Sequence, residues 1–321
     1  MTTDNRRAAP CRRFLSSAAI LLALVAAGLS GCATQTRDLL SERPADLPAQ
    51  VELADTPFFP DEAYHCGPAA LATVLTVGGF PTEPDDVVGQ VFVPDRKGSL
   101  QLEMLVATRR GGAVATVLPP ALESVLRELS AGHPVVILQN LGIRIAPFWH
   151  YAVLVGYDLD ASEVMLRSGP TKRQVMSMRT FEHTWARSQH WSFVALPPGQ
   201  LPATALEADA VRALVAFERN APPEQAALAY GAGLQRWPDN LVLAIGLGNT
   251  SYAAGDLDGA EQAFRTAAER HTSSAAWNNL AVVLDELGRR SEAIIAARKA
   301  VELSGAEDNG PRETLERLSE P

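Results

Sequence analysis

The chain has 321 residues, of which 47% are hydrophobic, enough to bury a sizeable core and long enough to suit two domains better than one. Its formal charge of −9 leaves no basic stripe of the kind a phosphate backbone needs, so nucleic acid is not an expected partner.

Arg6, Arg7, Arg12 and Arg13 precede the apolar run FLSSAAILLALVAAG, which has the length of a signal-peptide h-region and is short for a membrane span. The run ends in LSGC at 29–32, which resembles a bacterial lipobox. The resemblance implies a lipoprotein signal peptide at 1–31, lipid on Cys32, and attachment to a membrane of the cell envelope facing the periplasm. A short uncleaved anchor helix is the alternative and leaves the body on the same side. Cys11 then departs with the signal and Cys32 is acylated, so Cys66 is the one free thiol of the exported protein and no intramolecular disulfide forms. An unpaired thiol in an oxidising compartment asks for a reason.

Residues 32–50 are polar with scattered proline and read as a tether. A helix is predicted over 68–77, with Leu71, Val74 and Leu75 on one face and Gly78-Gly79 stopping it, and two more over 100–110 and 121–131. Apolar, β-branched runs at 134–139, 151–157, 163–167 and 191–196 read as antiparallel strands, giving a helix-then-strand α+β domain over 51–197. PPGQLPA at 197–203 marks a boundary.

Beyond it, a shift of 33 brings Ala227, Ala260 and Ala293 into coincidence, then Leu234, Ala267 and Ala300, while Gly255 matches Gly288. Small residues at those places let antiparallel helices approach closely. The pattern is similar to tetratricopeptide repeats, with three hairpins over 206–303 and a capping helix at 311–319; a generic helical bundle is the alternative. Such repeats form a concave surface for a peptide or partner protein.

Cys66 stands at the predicted start of a helix, with Pro68 where a first turn tolerates proline. A helix N-terminus lowers a thiol's pKa and so favours the attacking thiolate, whereas a buried small hydrophobe is the plain alternative. Tyrosine, histidine and glycine around Cys66 favour chemistry. A nucleophilic thiol needs an imidazole within reach. Among six histidines, His150 opens the strand HYAVLVGY after a loop, so its ring can point into a cleft. His65 adjoins Cys66 and points elsewhere, His133 precedes a strand in a turn, and His183, His190 and His271 lie in polar or helical segments.

The pair HCGPAALATVL and WHYAVLVGYD resembles the papain-like peptidase domain of the bacteriocin-processing family, which removes leader peptides after a double glycine. The likeness covers about 55–197 and implies Cys66 as nucleophile and His150 as general base, then general acid to the leaving amine. That family orients the imidazole with an aspartate one strand after the histidine; here the matching place reads LRSGP, which puts Ser168 third, with Gln139 or Asp158 as alternatives. The family also places an oxyanion-stabilising glutamine a few residues before the nucleophile, where this chain has Asp61-Glu62. A carboxylate there repels the developing oxyanion, leaving stabilisation to the Cys66 N–H and another donor.

No second cysteine or histidine stands at zinc spacing, and RRGG at 109–112 lacks the Lys-Ser/Thr of a phosphate loop, so neither a metal nor another cofactor is expected. The expectation is a lipid-anchored cysteine peptidase, or a related amide-bond enzyme such as a transpeptidase, whose repeats bind a protein substrate or partner. The alternative is an inactive papain-like scaffold in which the repeats bind protein and no chemistry occurs.

Overall fold

The structure, a computed structural model, describes residues 33–61, 65–96, 98–143, 145–305 and 307–320. The signal segment and Cys32 lie outside the described residues. Among the described residues no helix is long and apolar enough to cross a membrane.

The segment read as a tether is built into the domain. Residues Thr34–Ser41 form α1, and Leu39 and Leu47 are buried in the core. The buried Glu182 carboxylate accepts from the Gln35 and Thr36 N–H groups and caps α1, while the Gln35 side chain in turn accepts from the N–H of Leu122, the first residue of another helix, α5 (Leu122–Ser130). Capping from one helix to the next satisfies donors that helix starts leave open, and polar composition alone does not reveal it.

The sheet runs β4 (Val114–Val117), β9 (Ser192–Leu196), β5 (Val135–Asn140), β6 (Trp149–Asp158), β7 (Glu163–Ser168), β8 (Thr171–Ser177), with every pairing antiparallel. A short strand β1 (Gln50–Glu52) pairs with the far end of β6. There an added Cβ on Gly156 would lie 2.7 Å from the Val51 carbonyl, so only glycine admits the strand at that distance. A small two-stranded ribbon, β2 (Phe92–Val93) with β3 (Gly98–Ser99), stands apart from the sheet. The helix-then-strand order is looser than predicted: β1 and β4 fall among the helices, and α6 (Met178–Ala186) between β8 and β9.

Two apolar layers cover the faces. On one, α1, α5 and α6 bury Leu126, Phe181 and Trp185 against Ile137, Ala152 and Leu154. On the other, α2 (Cys66–Val77), α3 (Pro84–Val91) and α4 (Gln101–Arg110) bury Leu71, Leu75 and Met104 against Tyr151, Val153 and Val155. The alternation along β6 is the period of a strand, and the bulge between Leu154 and Gly156 flips it, sending Tyr157 to the first layer. Residues 67–75 of α2 are all buried, since this helix lies between the sheet and its neighbours.

The second domain is α7 (Glu207–Glu218) with α8 (Pro223–Arg236), α9 (Leu241–Ala253) with α10 (Leu257–Arg270), and α11 (Ser274–Glu286) with α12 (Arg290–Leu303), closed by α13 (Gly310–Ser319). Gly255 and Gly288 have positive φ, as helix-ending glycines do. The register of the first hairpin differs by one from the sequence alignment. Ala226, Ala229, Tyr230 and Gly233 are buried as Ala260, Ala263, Phe264 and Ala267 are, a shift of 34, while Ala293, Ala296, Ala297 and Ala300 follow at 33. Ala227 and Leu234 are therefore only half-buried.

The boundary at 197–203 is a fixed joint. Fully buried Glu128 accepts from the Thr204 hydroxyl at 2.6 Å, the Thr204 N–H at 2.7 Å and the Ala203 N–H at 3.2 Å, with His133 Nδ1 at 2.8 Å. Arg236 donates to the carbonyls of Pro202 and Ala203, and Val114 of β4 shares a core with Leu214 and Phe217 of α7.

Candidate active site

Cys66 is the first residue of α2, with His65 as N-cap. An added Cβ on Gly67 would meet the Ser99 hydroxyl at 2.2 Å, so glycine lets β3 close over the helix start. Burial pushes the Cys66 thiol up, the Tyr151 N–H at 3.5 Å from Sγ opposes this, and the Asp61 charge adds to it. The expected lowering by the helix N-terminus is thus outweighed: the N–H groups of Gly67 and Cys66 favour the thiolate by less than burial disfavours it.

His150, buried at the start of β6, places Nε2 2.9 Å from the Ser168 hydroxyl at the end of β7. Val153 pairs with Arg167, so the two residues are diagonal neighbours on adjacent strands. Ser168 engages Nε2, so Nδ1 is the ring nitrogen left outside that bond. Burial pulls the imidazole pKa down and the nearby Asp61 opposes this. The other candidate orienters are engaged elsewhere. Gln139, opposite His150 in the ladder, donates to Thr184 Oγ1 at 2.6 Å, and Asp158, at the far end of β6, accepts from the N–H groups of Asp160 and Ala161.

Asp61 enters from the segment before α2. Its N–H donates to the Gly169 carbonyl at 3.3 Å, and Gly169 turns with φ of +55° directly after Ser168. Asp61, Cys66 and His150 then bring one carboxylate oxygen, one sulfur and one ring nitrogen within 4.8 Å of one another, and no other cluster of three such donors occurs among the described residues. Burial raises the Asp61 carboxyl, with the His150 charge opposing.

The three groups line a cleft of about 1060 Å³, together with the apolar side chains of Leu141, Phe148 and Trp149 and with Arg96 and Arg187. Asn140 shapes the apolar wall by accepting from the Gly142 and Phe148 N–H groups, and Arg187 donates to the Asn140 and Gly142 carbonyls. Three of the five remaining histidines play other parts: His65 meets Phe92 edge-on, His190 packs on Trp185, and His133 serves Glu128. Sequence reasoning passed over the Tyr151 N–H, since a backbone donor carries no residue signature, and the apolar wall, whose signal was the run APFW before His150.

Residues 46–192 match the family model described as Peptidase_C39 like family, and residues 223–281 and 274–307 match tetratricopeptide repeat models. No curated protein matches the chain. Among solved structures it is similar to a C39-like peptidase from Bacillus anthracis, with 16% identity over 46% of this chain and 98% of that one and a TM-score of 0.38. It is also similar to the peptidase domain of Streptococcus ComA, a bi-functional ABC transporter involved in quorum sensing, with 19% identity over 44% and 98% and a TM-score of 0.38. A third likeness is to a double glycine motif protease from an AMS/PCAT transporter in complex with the leader peptide, with 22% identity over 45% and 93% and a TM-score of 0.34.

Proposed function

From a peptidase C39-like domain joined to tetratricopeptide repeats, we propose that the chain is a lipid-anchored cysteine peptidase of the cell envelope that faces the periplasm and cleaves peptide bonds by Cys66–His150 chemistry. The observation that carries this reading is that residues 84 positions apart in sequence share one cleft, with the Ser168 hydroxyl bonded to the ring of His150. His150 takes the thiol proton as Sγ attacks the scissile carbonyl, then gives it to the leaving amine; water, with His150 again as base, hydrolyses the thioester. The N–H groups of Cys66 and Gly67 are the donors on hand for the oxyanion. The apolar wall receives an apolar side chain of an extended peptide.

The lipid on Cys32 rests on the LSGC motif at 29–32, and with α1 starting at Thr34 a lipid there would hold the domain close to the membrane. The repeats supply a surface for a protein substrate or partner.

The test is alkylation of Cys66 by iodoacetamide across pH, in the chain and in His150→Ala, with Cys11→Ser and Cys32→Ser in both so that one thiol reports. A reaction that stays fast well below pH 8 and loses that plateau in His150→Ala supports the peptidase. A profile that rises only near the free-thiol pKa, or labelling only on unfolding, overturns it.

A further inference from the structure

We infer that the Asp61 carboxylate is the anionic partner of the His150 ring and the group that sets the pH window in which the Cys66–His150 pair is reactive. The inference rests on the peptidase reading and adds a positioning residue to it. Ser168, behind the ring, is neutral: it can fix the orientation of His150 and cannot balance an imidazolium. Among the described residues the only carboxylate oxygen clustered with the ring is that of Asp61, within 4.8 Å of both the ring nitrogen and Sγ. It is held there by its own N–H on the Gly169 carbonyl, one residue past Ser168, so the turn that presents the hydroxyl also fixes the carboxylate.

Among the described residues the other charged or titratable groups around the site are accounted for. His65 precedes Cys66 on the chain, and its ring is turned to Phe92. The Tyr151 phenol donates to the Ser99 carbonyl. Arg187 is engaged by the carbonyls of Asn140 and Gly142, and Arg96 stands on the cleft wall. Neither arginine is an anion, so neither substitutes for Asp61 opposite an imidazolium.

One carboxylate beside both partners has two effects. It favours the protonated ring, which raises the pH at which His150 loses its proton, and it disfavours the thiolate, which raises the pH at which Cys66 becomes a nucleophile. Asp61 thereby carries the whole reactive window to higher pH. Removing its charge must move both edges the same way, toward acid, and a merely structural role for Asp61 moves neither in this paired manner. For unit charges up to 4.8 Å apart near a protein surface the displacement is about two to three pH units.

The experiment follows Cys66 alkylation by iodoacetamide against pH in the chain with Cys11→Ser and Cys32→Ser, alone and with Asp61→Asn, Asp61→Ser, Ser168→Ala or His150→Ala, and titrates the His150 ring by NMR. The expected result is that Asp61→Asn and Asp61→Ser each lower both the thiol inflection and the ring inflection by about two pH units or more, while Ser168→Ala leaves the thiol inflection in place. Inflections that stay put in both Asp61 variants, or a thiol inflection that moves alkaline, overturn the inference, as does a failure of both variants to fold, which makes the carboxylate structural. If His150→Ala leaves the alkylation profile of the parent unchanged, it is the peptidase reading that fails. Dependence on His150 with unmoved inflections in the Asp61 variants sinks only the role of Asp61.

Discussion

His150 Nε2 and Ser168 Oγ are 2.9 Å apart, a hydroxyl standing behind an imidazole where the bacteriocin-processing peptidases place a carboxylate. A neutral hydrogen bond orients a ring and stabilises its charge by less than a carboxylate would, about 1 kcal/mol. Ser168→Ala is therefore expected to slow Cys66 alkylation or peptide cleavage by about tenfold at most. A loss of about a hundredfold or more would mean that Ser168 does more than orient the ring.

His150 itself admits no such tolerance. His150→Ala leaves the thiol without a base, and since burial already pushes Cys66 up, alkylation near pH 7 should become slower than that of an exposed cysteine in a peptide. Stopped-time alkylation read by mass spectrometry checks this, and an unchanged rate would count against the pair.

Glu128 holds the joint between the domains. Burial opposes its ionisation, but the hydrogen bonds from His133 and Thr204 keep its carboxyl below the usual range. A carboxyl depressed in the folded chain contributes stability that is present above its unfolded pKa and is lost as pH falls through the folded value. Glu128→Ala empties a fully buried place and leaves the part-buried N–H groups of Ala203 and Thr204 without their acceptor, and is expected to destabilise the fold by about 2–4 kcal/mol. Thermal unfolding should show a clear fall in midpoint near neutral pH, and a smaller difference from the parent in the acid range below pH 4. An equal difference at both pH values would contradict the charge's part in it.

Gly156 is the position where a methyl group has no room. The added Cβ would press on the Val51 carbonyl at 2.7 Å, so Gly156→Ala must push β1 off β6 at a cost of about 1–3 kcal/mol. Hydrogen exchange should show loss of protection at Val51, Leu53 and Leu159, whose segments pair around this strand. Protection retained at all three would refute the close approach.

Within the helical repeats the legible and the hidden parts stand side by side. Gly255 and Gly288 end helices in both domain and sequence, and the alanines of α10 and α12 align at 33 as read. In the first hairpin the buried set is Ala226, Ala229 and Tyr230, one residue before the aligned Ala227, because two neighbouring alanines carry no signal as to which one faces inward. The same limit hid α1: its docking depends on Glu182, almost 150 residues away, and no local pattern announces a partner at that distance.

By itself the sequence determined that there is a helix beginning near Cys66, a strand beginning near His150, an α+β domain and an all-helical domain after it, because hydrophobic period and glycine or proline punctuation act over a few residues. Only the tertiary structure decided that Ser168 and not Gln139 or Asp158 meets the ring, that Asp61 stands within 4.8 Å of both reactive atoms, and that burial raises the thiol despite the helix start. The reason is physical: these are matters of strand register, of the turn at Gly169 and of solvent exclusion, which arise when distant segments pack and which no neighbouring residue encodes.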